Sequence, residues 1–356
     1  QMASEIAPPE ANEAEGCVQC QRGSKLVLFV TGRCHWGCDY CPLSENRRET
    51  PDMFANERRC QNFDEVIEEA RAMRATGTGI TGGDPMLDFD KTAEAVRALK
   101  DAFGPEHHIH CYTSIPIKPA QAKELGEAGL DELRFHLLDL SLDRYRDSVN
   151  AASEAGICVG IELPAEPDKH EKMHALLQEI HDSPVEFLNL NELEITVGNQ
   201  HNMDVRGFNL AGGITAAAEG SAELAIELKQ AAEDLNFHVK FCTASYKDAG
   251  QLRSRFRRRG EATLRPYEVL SEDDTILFGA IPCSLEDAAD DMNELTEYLQ
   301  LHENWIRFDG STRRIEIPLS AAEEIASHLA VPVLMVEVHP THERLEVGVV
   351  NLNQHR

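Results

Sequence analysis

Short apolar runs bounded by Gly, Pro and polar turns alternate along most of the chain with segments whose apolar positions recur every three to four residues. The runs predict strands over 25–31, 77–81, 107–113, 131–137, 157–162 and 186–193, and the helical periods fill the gaps over 63–77, 89–104, 119–129, 142–156 and 169–182. A helix over 216–235 and a strand over 237–242 follow. Parallel neighbours need a crossover long enough to hold a helix, so this alternation reads as α/β, with about six βα units.

The strand faces sharpen that reading. In ELRFHLL, Leu133, Phe135 and Leu137 share one side while Arg134 and His136 share the other; in FLNLNEL, Leu188 and Leu190 oppose Asn189 and Asn191. An open sheet covered by helices on both sides reads as apolar throughout, so a polar far face implies a lumen. The expected architecture is a partial (βα)6 barrel of the TIM type. By period-two alternation His108, His110, Arg134, His136, Glu162, Asn189 and Asn191 face inward, and as a set they are expected to line a cavity for substrate and cofactor.

Beyond residue 260 the character changes. TILFGAI, RRIEIPL, VPVLMVEV and RLEVGVV are short strands between acidic helical segments, which predicts a small C-terminal α+β domain. The expected divisions are 1–23, 24–260 and 261–356. Arg253, Arg255, Arg257, Arg258 and Arg259 could grip a phosphate, but Leu252 and Phe256 at helical spacing favour a helix whose last turn is basic and complements its own dipole.

Charge removes several functions. With 62 acidic against 34 basic residues the net charge is -28, which disfavours nucleic acid and anionic membranes and suits a salt-rich cytoplasm of the halophilic kind. No run reaches the roughly 20 apolar residues of a membrane span, and QMASEIAPPEANEAEG lacks the apolar stretch of a secretory signal, so the expected compartment is the cytosol. Ten cysteines there are read as metal ligands or buried thiols rather than disulfides.

Three of them stand in RCHWGCDYC, directly after the first predicted strand and so on the functional rim of a barrel. A structural zinc site wants four tightly held ligands, usually as two pairs, whereas Cys34, Cys38 and Cys41 offer three from one loop. Three thiolates can hold three irons of a 4Fe-4S cluster and leave the fourth open. This C-x3-C-x2-C, with Tyr40 before the last cysteine, resembles the radical S-adenosylmethionine (radical SAM) superfamily. TGGDP at 81–85 is similar to that family's Gly-Gly-Glu/Asp-Pro turn, where two glycines allow close backbone approach to a ligand. GICVGIEL resembles a third motif but lacks its Ile and places Glu162 one position early.

The resemblance covers roughly 24–242. It implies a 4Fe-4S cluster on the three cysteines and SAM held by Tyr40, Gly82, Gly83, Asp84, Pro85, Ser114, Arg134, Glu162, Asn189 and Asn191. It further implies reductive SAM cleavage, hydrogen abstraction from an unknown substrate, and a reductant such as ferredoxin or flavodoxin. GCVQCQRG and KFCTASYKDAGQLR make the chain similar to archaeal proteins related to pyruvate formate-lyase activating enzymes. Glycyl radical activation and RNA modification are therefore alternatives; a non-catalytic zinc-binding barrel is the reading from another class. Cys17 and Cys20 form a second C-x2-C, expected near the barrel's bottom or crossing its side. With Cys242 or Cys283 they are candidate ligands of a second metal, zinc or iron-sulfur, or else ordinary thiols.

Overall fold

The computed structural model describes residues 13–212 and 215–353. The chain forms two compact units, one comprising residues up to Arg71 and Ala75–Leu252, the other Ala72–Arg74 and the residues from Arg253 onward.

The first unit is one curved sheet. Its strands are β1 (Lys25–Phe29), β2 (Met53–Ala55), β3 (Arg58–Cys60), β4 (Gly77–Thr81), β5 (His108–Thr113), β6 (Glu132–Phe135), β7 (Cys158–Ala165), β8 (Phe187–Glu192) and β9 (His238–Cys242). They lie in the order β3-β2-β1-β4-β5-β6-β7-β8-β9, parallel from β1 and β4 through β9, with the β2-β3 hairpin antiparallel at the β1 edge. This is a partial α/β barrel with one parallel strand more than six units supply, because β9 pairs with β8 and extends the same sheet. The hairpin escapes a periodicity argument: each arm is three residues, and its signal is Asn56 at φ 54°, a left-handed position in a two-residue turn.

Helices α1 (Glu15–Gln21), α2 (Phe63–Ala72), α3 (Phe89–Phe103), α4 (Pro119–Ala128), α5 (Arg146–Glu154), α6 (His170–His181), α7 (Gln200–Val205) and α8 (Ser221–Ala231) accompany the sheet. Leu133, Phe135 and Leu137 are fully buried, as the outward apolar face requires, and α3 buries Ala93, Val96 and Leu99 at helical spacing.

The second unit holds an antiparallel sheet of β10 (Val269–Leu270), β11 (Ile276–Pro282), β12 (Arg307–Asp309), β13 (Arg314–Ile317), β14 (Leu334–Val338) and β15 (Glu346–Asn351). Its path is β12-β13-β11-β14-β15, with β10 on β11. The arginine-rich helix, Arg253–Thr263, falls in this unit rather than with the barrel segment expected to end at 260. It continues past the arginines, so no basic residue occupies its last turn and the dipole argument fails. Its charges are used locally: Arg253 Nε and Arg257 Nε donate to the two carboxylate oxygens of Asp274 at 2.9 and 2.6 Å, and buried Arg259 donates to the Pro340 carbonyl.

Candidate functional site

The strand register sets the lumen. Lys25, Gly77 and His108 are laterally paired near the N-terminal ends of β1, β4 and β5; His110 pairs with Glu132, Tyr112 with Arg134, Glu162 with Asn189, and Asn191 with Cys242. In this layer α1 lies inside the barrel. A Cβ on Gly16 would come 2.6 Å from both Arg134 Nη2 and His110 Nδ1, so only glycine lets the helix approach so closely. Gly77 likewise makes room for the Gln19 side chain, and Gly79 for the His110 ring. Cys17 and Cys20 are therefore near the barrel's bottom, as expected, and inside the lumen there rather than crossing its side. The signal was present as glycines on the inward face of GTGIT, but only the register shows what they admit.

The polar residues expected to line a substrate and cofactor cavity are, in this lower half, bonded to one another and to α1. Arg134 donates through Nε to Glu132, through Nη1 to Glu162 at 2.7 Å, and through Nη2 to the Cys17 sulfur at 3.4 Å. Asn189 Nδ2 reaches the same sulfur at 3.1 Å and Glu162 at 3.2 Å; Asn191 Nδ2 donates to Glu162 at 2.9 Å. Burial raises the pKa of Glu162, but Arg134 and the two amides outweigh it and hold the carboxyl below its usual range. Burial pushes the Lys25 ammonium down to about 7 where it meets His108 Nδ1 at 2.7 Å. Arg134, Glu162 and Asn189 thus form an ion-pair network and, with Asn191, Cys17, Cys20 and Cys242, also line a cavity of about 100 Å³. Cys283, the other proposed companion, lies in the second unit, where its thiol donates to Asp291.

The upper half is different. The loop after β1 carries Cys34, Cys38 and Cys41, all partly exposed. Its backbone is clamped from several sides: Lys91 Nζ donates to the carbonyls of Val30 and Pro51, Gly32 exchanges bonds with Glu49 and Thr50, and Asn199 and Asn202 donate to the carbonyls of Tyr40 and Asp39. The Tyr40 hydroxyl meets His136 Nε2 at 2.6 Å, and His136 Nδ1 meets the Glu162 carbonyl at 3.0 Å, which ties the loop to the lumen. Asn199 was legible only as a polar residue and His136 as one facing the lumen; what they tie together depends on tertiary placement.

The turn after β4 supports this loop. Gly83 and Asp84 donate backbone N–H groups to the carbonyls of Thr31 and Arg33, and a Cβ on Gly82 or Gly83 would overlap the Thr31 or Arg33 carbonyl oxygen. The close approach made by these glycines is thus to the cysteine loop itself. Asp84 is buried, with Oδ1 accepting from Met86 N at 3.0 Å and Thr113 Oγ1 at 2.8 Å, and Oδ2 from Ser114 N at 2.8 Å. It anchors the turn to β5, with Pro85 buried behind it in a short 3-10 helix. Ser114 keeps a half-buried side chain while its carbonyl accepts from Tyr145.

A closed zinc site needs four ligands around one ion, whereas three thiolates on one loop can hold three irons of a cluster and leave the fourth open, so this donor set fits a cluster. Burial raises the Cys34 and Cys38 thiols above their ordinary value. Among the described residues no helix is long and apolar enough to cross a membrane.

A family model described as the radical SAM superfamily matches residues 28–162. A protein of Methanocaldococcus jannaschii, provisionally named a glycyl-radical enzyme activating enzyme, is 35% identical over 350 residues, covering 94% of this chain and 91% of that one. Shorter matches include the biotin synthase of Chromobacterium violaceum, 35% identical over 35% of this chain and 38% of that protein. The GTP 3',8-cyclase of Lactiplantibacillus plantarum is 31% identical over 38% of this chain and 39% of its own. Among solved structures, Streptococcus suis SuiB bound to S-adenosylmethionine aligns with a TM-score of 0.45 and 14% identity, over 62% of this chain and 50% of that one. With a family match that spans the cysteine loop and a relative alike along nearly its whole length, the chain belongs to the radical SAM superfamily and is an enzyme with a radical SAM catalytic domain.

Proposed function

We propose that the protein cleaves SAM reductively at a 4Fe-4S cluster held by Cys34, Cys38 and Cys41, and that its substrate gives up a hydrogen atom at the barrel rim. The observation that carries this reading is the placement of three partly exposed thiols on one clamped loop, backed by the Gly82-Gly83 turn. Bound there, the cluster would supply the electron, and SAM the radical, that the hydrogen abstraction needs.

The chain's own part is positional. Asp84 and Lys91 hold the two backbones that frame the loop, Tyr40 and His136 fix its far end, and Arg134 holds Glu162 ionised beneath. Gly82, Gly83, Ser114 and Asn191 remain the residues proposed to meet SAM from this chain. The likeness to the Methanocaldococcus jannaschii protein supports activation of a glycyl radical partner as the reaction class. The net charge of -28 weighs against an RNA substrate. A zinc or iron-sulfur centre on Cys17, Cys20 and Cys242 stands as a separate proposal, supported by the small cavity they share.

The test is anaerobic reconstitution followed by reduction with SAM present. The expected products are 5'-deoxyadenosine and methionine, lost when Cys34, Cys38 or Cys41 becomes Ala. S-adenosylhomocysteine as sole product, or undiminished cleavage by the triple variant, overturns the assignment. With a glycyl radical protein as partner, an electron paramagnetic resonance signal on that protein separates activation from small-molecule chemistry.

A further inference from the structure

On the outside of the barrel, α6 and α8 bring three ligand-type side chains to one point. His170 and His174 stand four residues apart on α6, so both rings project from the same face with centroids 4.6 Å apart. Each Nε2 lies 2.9 Å from the same atom, Oε1 of Glu227 on α8. Among the described residues this is the set of three whose ligand atoms all fall within 4.8 Å of one another. Two hydrogen bonds to one carboxylate explain each contact singly. They do not require both imidazoles to aim at one oxygen on an open surface, where each long side chain gives up rotamer freedom for an interaction diluted by water.

We propose that His170 Nε2, His174 Nε2 and a carboxylate oxygen of Glu227 bind one borderline divalent cation of the zinc, cobalt or nickel type, clamping α6 to α8. Imidazole and carboxylate suit such ions, and at bond lengths of roughly 2.0 to 2.2 Å neighbouring ligand atoms in one shell stand close to the separations seen here. Three protein ligands leave the rest of the shell to water, as the exposure of His170 and Glu227 permits. The placement gives the clamp a purpose. α6 follows β7 through the short turn Pro167–Lys169, and α8 leads into β9, so the pair lies in the crossovers joining β7, β8 and β9, the strands around Glu162, Asn189 and Asn191.

The experiment uses full-length protein with its cysteine cluster reconstituted, stripped of loose metal by gel filtration and titrated anaerobically with Co2+. Nitrogen and oxygen ligation gives weak visible bands, whereas thiolate ligation adds intense near-ultraviolet absorption, so binding at cysteines is separable. The expected result is one equivalent bound at micromolar Kd without thiolate absorption, displaced by Zn2+, and weakened at least tenfold in Glu227→Ala and in the His170→Ala, His174→Ala double variant. Zn2+ at 100 times Kd should raise the wild-type melting midpoint by about 4 °C and leave the variants unmoved. All three residues are at the surface, so the metal-free variants should melt near wild type. Equal binding by wild type and variants, a Kd in the millimolar range, or thiolate bands alone overturns the proposal.

Discussion

The barrel holds two groups of three thiols. Cys34, Cys38 and Cys41 come from eight consecutive positions at the rim and keep solvent access; Cys17, Cys20 and Cys242 come from a helix and a strand more distant in sequence and meet in the lumen. Cys17 and Cys242 are buried, and Cys20 keeps some accessible surface yet sits deep enough that its thiol is pushed up to about 11, with Cys242 at about 12, both chiefly by burial. The rim loop is held by backbone bonds, and its Cys34 and Cys38 sulfurs meet the Trp36 backbone and the Tyr40 hydroxyl while keeping solvent access. In the lumen, Cys17 accepts from Arg134 and Asn189 and belongs to a charge network. Equal cysteine counts therefore come with unequal access, since a metal reaching the lumen group would have to displace the Arg134 and Asn189 hydrogen bonds to Cys17.

The largest effect expected on this contrast comes from Gly83→Val. The side chain would collide with the Arg33 carbonyl, shift the cysteine loop, and lower both iron content and SAM cleavage, the latter by about 100-fold, the scale of a 1 Å misplacement. Iron content equal to wild type with SAM binding alone lost would show that the glycine serves SAM without supporting the loop.

Arg134→Met tests the lumen. It leaves Glu132 and Glu162 facing one another without their shared cation, and stability should fall by about 3–5 kcal/mol in urea melts, as when one partner of a buried pair is removed. If the variant melts as wild type does, the network is not what holds α1 in place.

Acid should act on the lumen before the rim. In the lumen burial pushes His108 down to about 3 and also lowers His110 and His136, while His107, packed outside it against Thr78 and Phe103, is pushed down to about 4. Each stays neutral in the fold while the unfolded chain takes a proton below about 6.5. The unfolded state then binds more protons, so stability is fully present above pH 6.5 and is lost as pH falls through 4. Melting midpoints of cluster-free protein should drop from pH 7 to pH 5, and a flat profile would mean these rings are already charged.

The smallest effect is one of rate. In cluster-free protein at pH 8, iodoacetamide should modify Cys34, Cys38 and Cys41 about tenfold faster than Cys17 and Cys242, since reaction needs an accessible thiolate. Peptide mass mapping reads the order directly, and equal rates would erase the distinction between the groups.

Much of this was determined by the sequence alone. The strands at 77–81 and 108–113 and the helices at 89–103 and 119–128 follow from periodicity, since burying one face of a strand or helix forces a period of two or 3.6 on local residues. RCHWGCDYC was legible because its ligands are close in sequence, so one loop carries the whole donor set. That α1 enters the lumen was not legible, nor was the bonding of Arg134, Glu162 and Asn189 into one network around the cavity they line. Those outcomes depend on the register that sets Gly77 and Gly79 beside His108 and His110, opening space for a helix carrying Gly16. Local pattern specifies which face a residue takes; only the packed sheet specifies what meets it there, because contacts between distant segments arise when all strands close on one another.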